Sequence, residues 1–158
     1  MRKNKITYIL LVLTFLTVIT AGCSNSPVSV YYNQINQLKV EDNLDAASKG
    51  FESVAGECTS VINNGGTIDW AVYEPKFNEP IKLMEDMKTK LEAVETTDQE
   101  VKDIHAYLIS SYENMINGYK EIVKGMKEGN QDMLTQAAEK MTRAQEDILV
   151  WQEKLNQK

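Results

Sequence analysis

The chain has 158 residues, which is enough for one modest domain. Its 17 basic and 23 acidic residues give a net charge of −6, and this acidity argues against nucleic acid as a partner because like charges repel. Two cysteines and a single histidine leave few side chains for metal binding or covalent catalysis.

The first 22 residues have the features of an export signal. Three basic side chains within the first five residues precede an uncharged stretch over residues 6–22, most of which is apolar. As a helix, this stretch would span about 25 Å, slightly less than the roughly 30 Å hydrocarbon core of a bilayer. The small residues Thr20-Ala21-Gly22 stand directly before Cys23, so cleavage is predicted between Gly22 and Cys23.

The segment Ile19-Thr20-Ala21-Gly22-Cys23 resembles the lipobox of bacterial prolipoproteins, with Thr20 where leucine is commonest. In that family the cysteine thiol takes a diacylglycerol, and the signal peptide is cleaved just before it. The resemblance therefore implies that Cys23 is lipidated and that the domain is held at the extracytoplasmic face of the cell membrane. The alternatives are an uncleaved signal anchor and a secreted protein that carries a cysteine at this position.

A short tether is predicted between the anchor and the domain. Residues 23–29 are assigned to the lipidated cysteine and the tether, of which the six residues 24–29 reach at most about 20 Å. Residues 30–158 are assigned to the domain, which should therefore lie close to the membrane. Without residues 1–22 the chain has 14 basic and 23 acidic residues, a net charge of −9, so the lipid alone must hold it to an anionic leaflet.

After the tether, the chain has the pattern of α-helices, with few prolines and no strand-like alternation. The first long apolar stripe consists of Val40, Leu44, Ala47, Phe51, Val54, Cys58 and Val61. An upstream stripe through Ile35 and Leu38 is out of phase with it, which predicts a kink or a change of register near Val40–Asn43. The sequence Asn63-Asn64-Gly65-Gly66 then predicts a helix end.

Two prolines mark the second helical segment, which is predicted to begin near Thr67. Pro75 and Pro80 should interrupt it, because each removes an amide donor and collides with the preceding turn. A short helical piece, a kink and a regular helix from about Pro80 to Glu95 are therefore expected.

Two further helices complete the predicted fold. Thr96-Thr97-Asp98 is a helix-start signal, and Gly129-Asn130 separates the third helix from the fourth. Both helices have apolar residues at alternating intervals of three and four, the spacing of helices that pack at about 20°. Four segments with short connections predict an all-α, up-down-up-down four-helix bundle that follows a cleaved signal peptide.

The stretch from Asp98 to Gln157, with its Asp-Gln-Glu start, central His105 and Lys-Glu-Gly-Asn turn, resembles the final hairpin of small, uncharacterised helical lipoproteins of Gram-positive bacteria. This similarity covers about 60 residues of the chain. It brings with it no catalytic residues and therefore implies no mechanism.

Two side chains have reactive chemistry but lie in structural patterns. Zinc binding or acid–base catalysis by His105 would need a partner, yet Lys102 stands where a Glu-x-x-His motif has its glutamate. A hydrogen-bonded histidine at the edge of the apolar stripe is the favoured interpretation.

Cys58 occupies a core position beside Glu57, which would raise the pKa of its thiol, so a small buried side chain is favoured over a nucleophile. The acidic runs lack a calcium-loop pattern and are interpreted as solvated helix faces.

Methionine and tyrosine side chains on the apolar stripes leave two interpretations open. Met adapts its shape and Tyr adds a hydroxyl, so a core lined by them could hold a small apolar ligand. The four candidates for lining such a site are Tyr112, Met115, Tyr119 and Met141. The alternative is an ordinary, slightly soft core.

Aromatic residues are expected to gather at the tethered end of the bundle. If the first helix runs away from the membrane, this end contains Tyr31, Tyr32, Tyr107 and Trp151. Because Tyr and Trp favour the headgroup zone, we hypothesise that this end rests on lipid.

No catalytic motif, phosphate loop, metal-spaced cysteine pair or basic nucleic-acid patch occurs in the chain. The sequence therefore favours a non-enzymatic lipoprotein without metal or cofactor. Such a protein would act on a protein partner in the envelope or as an accessory factor. The second hypothesis is a carrier or sensor of a small apolar ligand in the bundle core, and an enzyme is the third.

Overall fold

The computed structural model describes residues 26–157, which form five α-helices and no strand. The helices are α1 (Pro27–Gln37), α2 (Val40–Asn63), α3 (Trp70–Glu92), α4 (Gln99–Glu128) and α5 (Gln131–Asn156). The predicted all-α class is confirmed. None of these helices combines the length and the apolar composition that crossing a bilayer would require. The predicted signal peptide, its cleavage site and Cys23 lie outside the described residues.

The ends of α4 and α5 follow from local sequence rules. Asp98 caps α4, and its carboxylate accepts a hydrogen bond from the Val101 amide at 3.0 Å. Gly129 ends α4 with a φ of 63°, a left-handed conformation that glycine adopts without a steric cost. Asn130 then caps α5 by accepting from the Met133 amide at 3.2 Å. These boundaries were predicted from the sequence.

A short break separates α1 from α2 near the predicted change of register. Lys39 has a φ of 56°, so the chain leaves the right-handed helical conformation for one residue before α2 begins at Val40. α1 starts at Pro27, with Ser26 as its cap, and its first turn therefore includes residues 27–29 of the predicted tether. Val28 in this turn is buried.

α3 continues through both of its prolines, contrary to the predicted interruption. It is a single helix from Trp70 to Glu92 that contains Pro75 and Pro80. Pro80 is buried against α2 at Gly50, where an added Cβ would lie 3.4 Å from the Pro80 Cβ. A favourable contact with another helix thus offsets the local cost of a proline in the helix interior.

Consecutive long helices are antiparallel, because residues near the start of one helix contact residues near the end of the next, and the reverse. The pairs are Asn43–Leu83 and Glu57–Lys76 between α2 and α3, Lys88–Glu113 and Glu74–Lys127 between α3 and α4, and Ser110–Asp147 and Glu121–Lys140 between α4 and α5. α2 runs in the same direction as α4, since Asn43 contacts Tyr112 and Ser48 contacts Tyr119. α1 precedes it along α4, where Tyr31 contacts His105.

Aromatic rings fill the space between α2, α3 and α4. The rings of Phe51 and Tyr119 are stacked with centroids 3.9 Å apart, and Phe51 also contacts Phe77 at 4.9 Å. Large side chains therefore separate α2 from α4 in this part of the core.

Small residues instead bring α4 and α5 close together. Ser111, Gly118 and Gly125 recur at seven-residue intervals along the face of α4 that meets α5. The Ser111 hydroxyl donates to the Ala144 carbonyl oxygen at 2.8 Å. A Cβ added to Gly118 would lie 2.8 Å from the Met141 Sδ. The α4–α5 contact is accordingly the most extensive one between helices.

This close approach predicts opposite effects for the same substitution at two glycines. Gly118→Leu should lower the free energy of unfolding by about 1–3 kcal/mol, because the new side chain must displace Met141 and also meets the Ala137 backbone carbonyl, whose oxygen lies 3.4 Å from the added Cβ. Gly56→Leu on the exposed face of α2 should raise it by about 0.5–1 kcal/mol, because no atom lies within 4 Å of the added Cβ and helix propensity improves. Urea unfolding followed by circular dichroism measures both. Similar midpoints for the two variants would refute the close packing.

Candidate functional site

α2 and α5 make far fewer close contacts with each other than the α2–α3, α3–α4 and α4–α5 pairs do. The α2–α3, α3–α4 and α4–α5 pairs each have at least one ion pair, whereas none of the ion pairs within residues 26–157 joins α2 to α5. We call this edge the α2–α5 seam.

A cleft of about 90 Å³ lies in the α2–α5 seam. Its apolar lining consists of Val40 and Leu44 from α2, Met115 from α4, and Met141, Ala144, Ile148, Leu149 and Trp151 from α5. Leu149 is 46% exposed, so a molecule in solution can reach it directly. The cleft is therefore an apolar depression that is open to solvent on one side.

The four predicted lining residues divide into two pairs. Met115 and Met141 line the cleft. Tyr112 and Tyr119 are buried behind it, and their hydroxyl groups donate to α2, at 3.2 Å to the Asn43 Oδ1 and at 3.4 Å to the Ser48 Oγ. Burial raises the pKa of Tyr119 to about 12, so its hydroxyl stays protonated. The two tyrosines hold α2 in place, and the two methionines, although buried, form part of the lining of the cleft.

A chain of hydrogen bonds begins at Trp151, at one end of the cleft. The Trp151 Nε1–H donates to the Tyr31 hydroxyl at 3.2 Å, and the Tyr31 O–H donates to the His105 Nδ1 at 2.9 Å. The His105 Nε2–H donates to the Leu91 carbonyl oxygen at 3.0 Å. A carbonyl oxygen only accepts, so the ring proton is on Nε2. Four helices, α5, α1, α4 and α3, are thus joined in sequence.

His105 is hydrogen-bonded through both ring nitrogens, as the sequence analysis favoured. Burial lowers the pKa of its imidazole, and the hydrogen bond to the Leu91 carbonyl oxygen opposes this shift only in part. In the neutral ring Nδ1 carries no proton and accepts from the Tyr31 hydroxyl. Within the described part of the chain, no three His, Cys, Asp or Glu side chains are grouped so that they could hold a metal ion.

Cys58 is a buried thiol. It is fully buried in α2, and burial together with the charge of Glu57 raises the pKa of the thiol, while Lys76 lowers it less. The predicted small buried side chain is confirmed.

Two of the aromatic residues predicted to rest on lipid are in the core. Tyr31 and Trp151 are only 1% and 2% exposed, and their polar atoms are bonded to each other. The two side chains contact each other, as expected, but they are too deeply buried to reach lipid headgroups. Tyr32 and Tyr107 are partly buried, and the Lys154 Nζ lies 5.8 Å from the centroid of the Tyr107 ring.

A second groove lies between α1, the α3–α4 connection and α4. Its volume is about 1270 Å³, and it is wide and open to solvent. Glu95, Asp98, Lys102 and Glu113 line it beside the exposed side chain of Val30. These mixed charges make it less selective for an apolar group than the α2–α5 seam.

Sequence reasoning did not find the seam, although one residue signals it. The apolar stripe of α5 passes through Ala144, Ile148 and Trp151, and Leu149 directly after Ile148 lies outside it. A leucine out of phase with its stripe widens the apolar surface of the helix on one side. In the structure that side faces the cleft.

Comparison of the chain with protein-family models, with curated proteins and with solved structures finds no match.

The burial of His105 predicts a specific pH dependence of stability. The pKa in the folded protein lies below the ordinary value of 6.5, so below about pH 6.5 the unfolded chain binds a proton that the folded one does not. The free energy of unfolding should therefore fall as the pH decreases from 7 to 5, and this contribution should be absent in His105→Gln. Urea unfolding at both pH values gives the comparison. The two proteins differ only at this side chain, so an identical pH dependence of their stabilities would show that His105 is not held neutral.

Proposed function

We propose that this chain is a bacterial lipoprotein, anchored through Cys23 at the extracytoplasmic face of the cell membrane, that binds a protein partner without catalysis. The α2–α5 seam is the proposed binding site. The observation that carries this proposal is the open apolar cleft of the seam, with the exposed Leu149 on its wall.

The position of α1 supports close attachment to the membrane. Ser26 caps α1, and only two residues separate it from Cys23. Three residues reach at most about 11 Å. The acyl chains of a lipidated Cys23 would therefore hold the start of α1, and the domain with it, near the bilayer surface.

We further propose that α1 and α2 together form one of four rods in an up-down-up-down bundle. The alternating directions of α2, α3, α4 and α5 support this arrangement, as does the short connection from α4 to α5 through Gly129 and Asn130. The α2–α5 seam is then the fourth and loosest edge of the bundle.

The size of the cleft favours a partner protein over a small-molecule ligand. Sites for drug-sized molecules typically have about 300–1,000 Å³, several times more than the 90 Å³ of the cleft. Tyr112 and Tyr119 use their hydroxyl groups to hold α2, so the core behind the cleft is occupied. One apolar side chain of a partner fits this space, and a carrier of apolar metabolites would need more.

Two potentially reactive side chains support a non-enzymatic role. His105 has both ring nitrogens engaged in hydrogen bonds, and the Cys58 thiol is buried with a raised pKa. Each therefore has a structural role that accounts for its position.

The anchor is tested by exchanging each cysteine separately. In cells fed an alkyne analogue of palmitate, Cys23→Ala should abolish lipid labelling and leave the signal segment uncleaved, because the acyl acceptor is gone. Cys58→Ala is the matched control and should be labelled and processed normally. In-gel detection and intact mass report the result. Labelling that persists in Cys23→Ala, or a bare N-terminal cysteine in the mature protein, would refute the anchor.

The seam is tested by photo-crosslinking from two exposed leucines. A photoreactive amino acid at Leu149 should give a discrete heavier adduct in intact cells that produce the protein naturally. The same amino acid at Leu83, 39% exposed on α3 and outside the cleft, should not. Immunoblotting detects the adduct, and mass spectrometry identifies it. The absence of an adduct at Leu149, or the same adducts from both positions, would show that the seam is not the binding face.

A further inference from the structure

The chemistry of the α2–α5 seam indicates a particular kind of partner, an inference that rests on the proposed function. We propose that the seam binds an amphipathic α-helix that inserts one apolar side chain into the cleft and carries Lys or Arg on the flank that faces α2.

The length of the cleft suits a helix of about two turns. Its α2 wall extends from Val40 to Ser48, about 12 Å along the helix axis, and its α5 wall from Met141 to Gln152, about 16 Å. Residues i and i+7 of a bound helix are about 10 Å apart, so both would lie over the seam. The amides and carbonyls along α2 and α5 are paired within their own helices, so the seam has no free strand edge to which an extended peptide could add.

The depth of the cleft admits one anchoring side chain. About 90 Å³ of space is bounded by Met115 and Met141, whose flexible thioether side chains can adjust to leucine, methionine or phenylalanine. A few side chains that are buried in pockets near the centre of an interface contribute most of its binding energy.

The charges beside the cleft select basic residues. Glu41 and Asp45 on the α2 wall are the charged residues that line it, and the polar residues of the α5 wall, Gln145 and Gln152, are neutral. Glu41 takes part in none of the ion pairs within residues 26–157. Asp45 contacts Lys49 at 2.7 Å, but both side chains are well exposed, so this pair is weak and easily exchanged. Cations on the partner would therefore complement the α2 wall.

The same charges argue against a second copy of this chain as the occupant. Without residues 1–22 the chain has a net charge of −9, and two such domains repel each other. An acyl chain is also a poor match, because a cleft of 90 Å³ flanked by two carboxylates would leave much of the chain outside.

The test uses two synthetic peptides and the mature protein in phosphatidylcholine nanodiscs. One peptide is a 14-residue helix of leucine and lysine, Leu-Lys-Lys-Leu-Leu-Lys-Leu repeated twice, and the other has glutamate in place of every lysine. Trp70→Phe leaves Trp151, at the end of the cleft, as the single fluorescent tryptophan. The lysine peptide should change the Trp151 emission, more weakly at high salt, and the glutamate peptide should not. Empty nanodiscs provide the blank.

Matched variants locate the binding. Glu41→Gln with Asp45→Asn should weaken binding of the lysine peptide at least tenfold, whereas Asp42→Asn, exposed one residue away and outside the cleft, should not. Leu149→Lys should abolish binding, and Leu83→Lys should leave it unchanged. Equal binding of the two peptides, or equal effects of the cleft and control variants, would overturn the proposal.

The identity of the crosslinked partner separates this inference from the proposed function. If the adduct at Leu149 contains an acidic or non-helical segment, or a second copy of this chain, the proposed partner chemistry is wrong although the seam still binds protein. If no adduct forms at Leu149, the proposed function itself fails. A crosslinked segment with an apolar residue flanked by Lys or Arg at helical spacing supports both.

Discussion

The hydrogen bonds from Trp151 through Tyr31 and His105 to the Leu91 carbonyl oxygen are the interaction on which the arrangement of the helices depends. The donor and acceptor roles of these groups are fixed. The indole only donates, the carbonyl only accepts, and the neutral imidazole accepts on one nitrogen and donates from the other. A satisfied hydrogen bond contributes about 1 kcal/mol, but a buried group left without its partner costs about 1–3 kcal/mol. Removal of any one of these side chains would therefore leave buried polar groups on its neighbours without a hydrogen-bond partner.

These hydrogen bonds also connect the start of the domain to the α2–α5 seam. α1 is separated from α2 by the left-handed residue Lys39, so its position depends on contacts made by its own side chains. Tyr31 supplies one of these contacts by bonding to Trp151, and Trp151 lines the cleft. The helix next to the proposed anchor and the end of the proposed binding site thus share one hydrogen bond. His105 adds the end of α3, where Leu91 has one of the last helical carbonyls.

Local rules predicted most of the helices, because helix caps and apolar periodicity depend on residues that are close together in the sequence. Asp98, Gly129 and Asn130 set their helix ends through atoms within three or four positions along the chain. The continuation of α3 through Pro80 could not be predicted in this way, since it depends on Gly50 in another helix. The same holds for the site: Tyr31 lies 74 residues from His105 and 120 from Trp151.

The seam was harder still to predict, because it is a shortage of contacts between two helices far apart in sequence. Its origin is the unequal size of the side chains around α4. On one side, Ser111, Gly118 and Gly125 allow α5 to approach α4 closely. On the other, the rings of Tyr112 and Tyr119 hold α2 further away.

Because α5 lies close to α4 and α2 lies further from it, α2 and α5 do not pack tightly against each other. Met115 and Met141 fill only part of the resulting space. A deep ligand pocket would require large side chains to be removed from the core. A shallow cleft of this kind requires only small residues between α4 and α5 and aromatic residues between α2 and α4. The seam is therefore a direct consequence of the same packing that stabilises the fold, and an apolar side chain from a partner would complete it at little cost, since the flexible methionines can adjust.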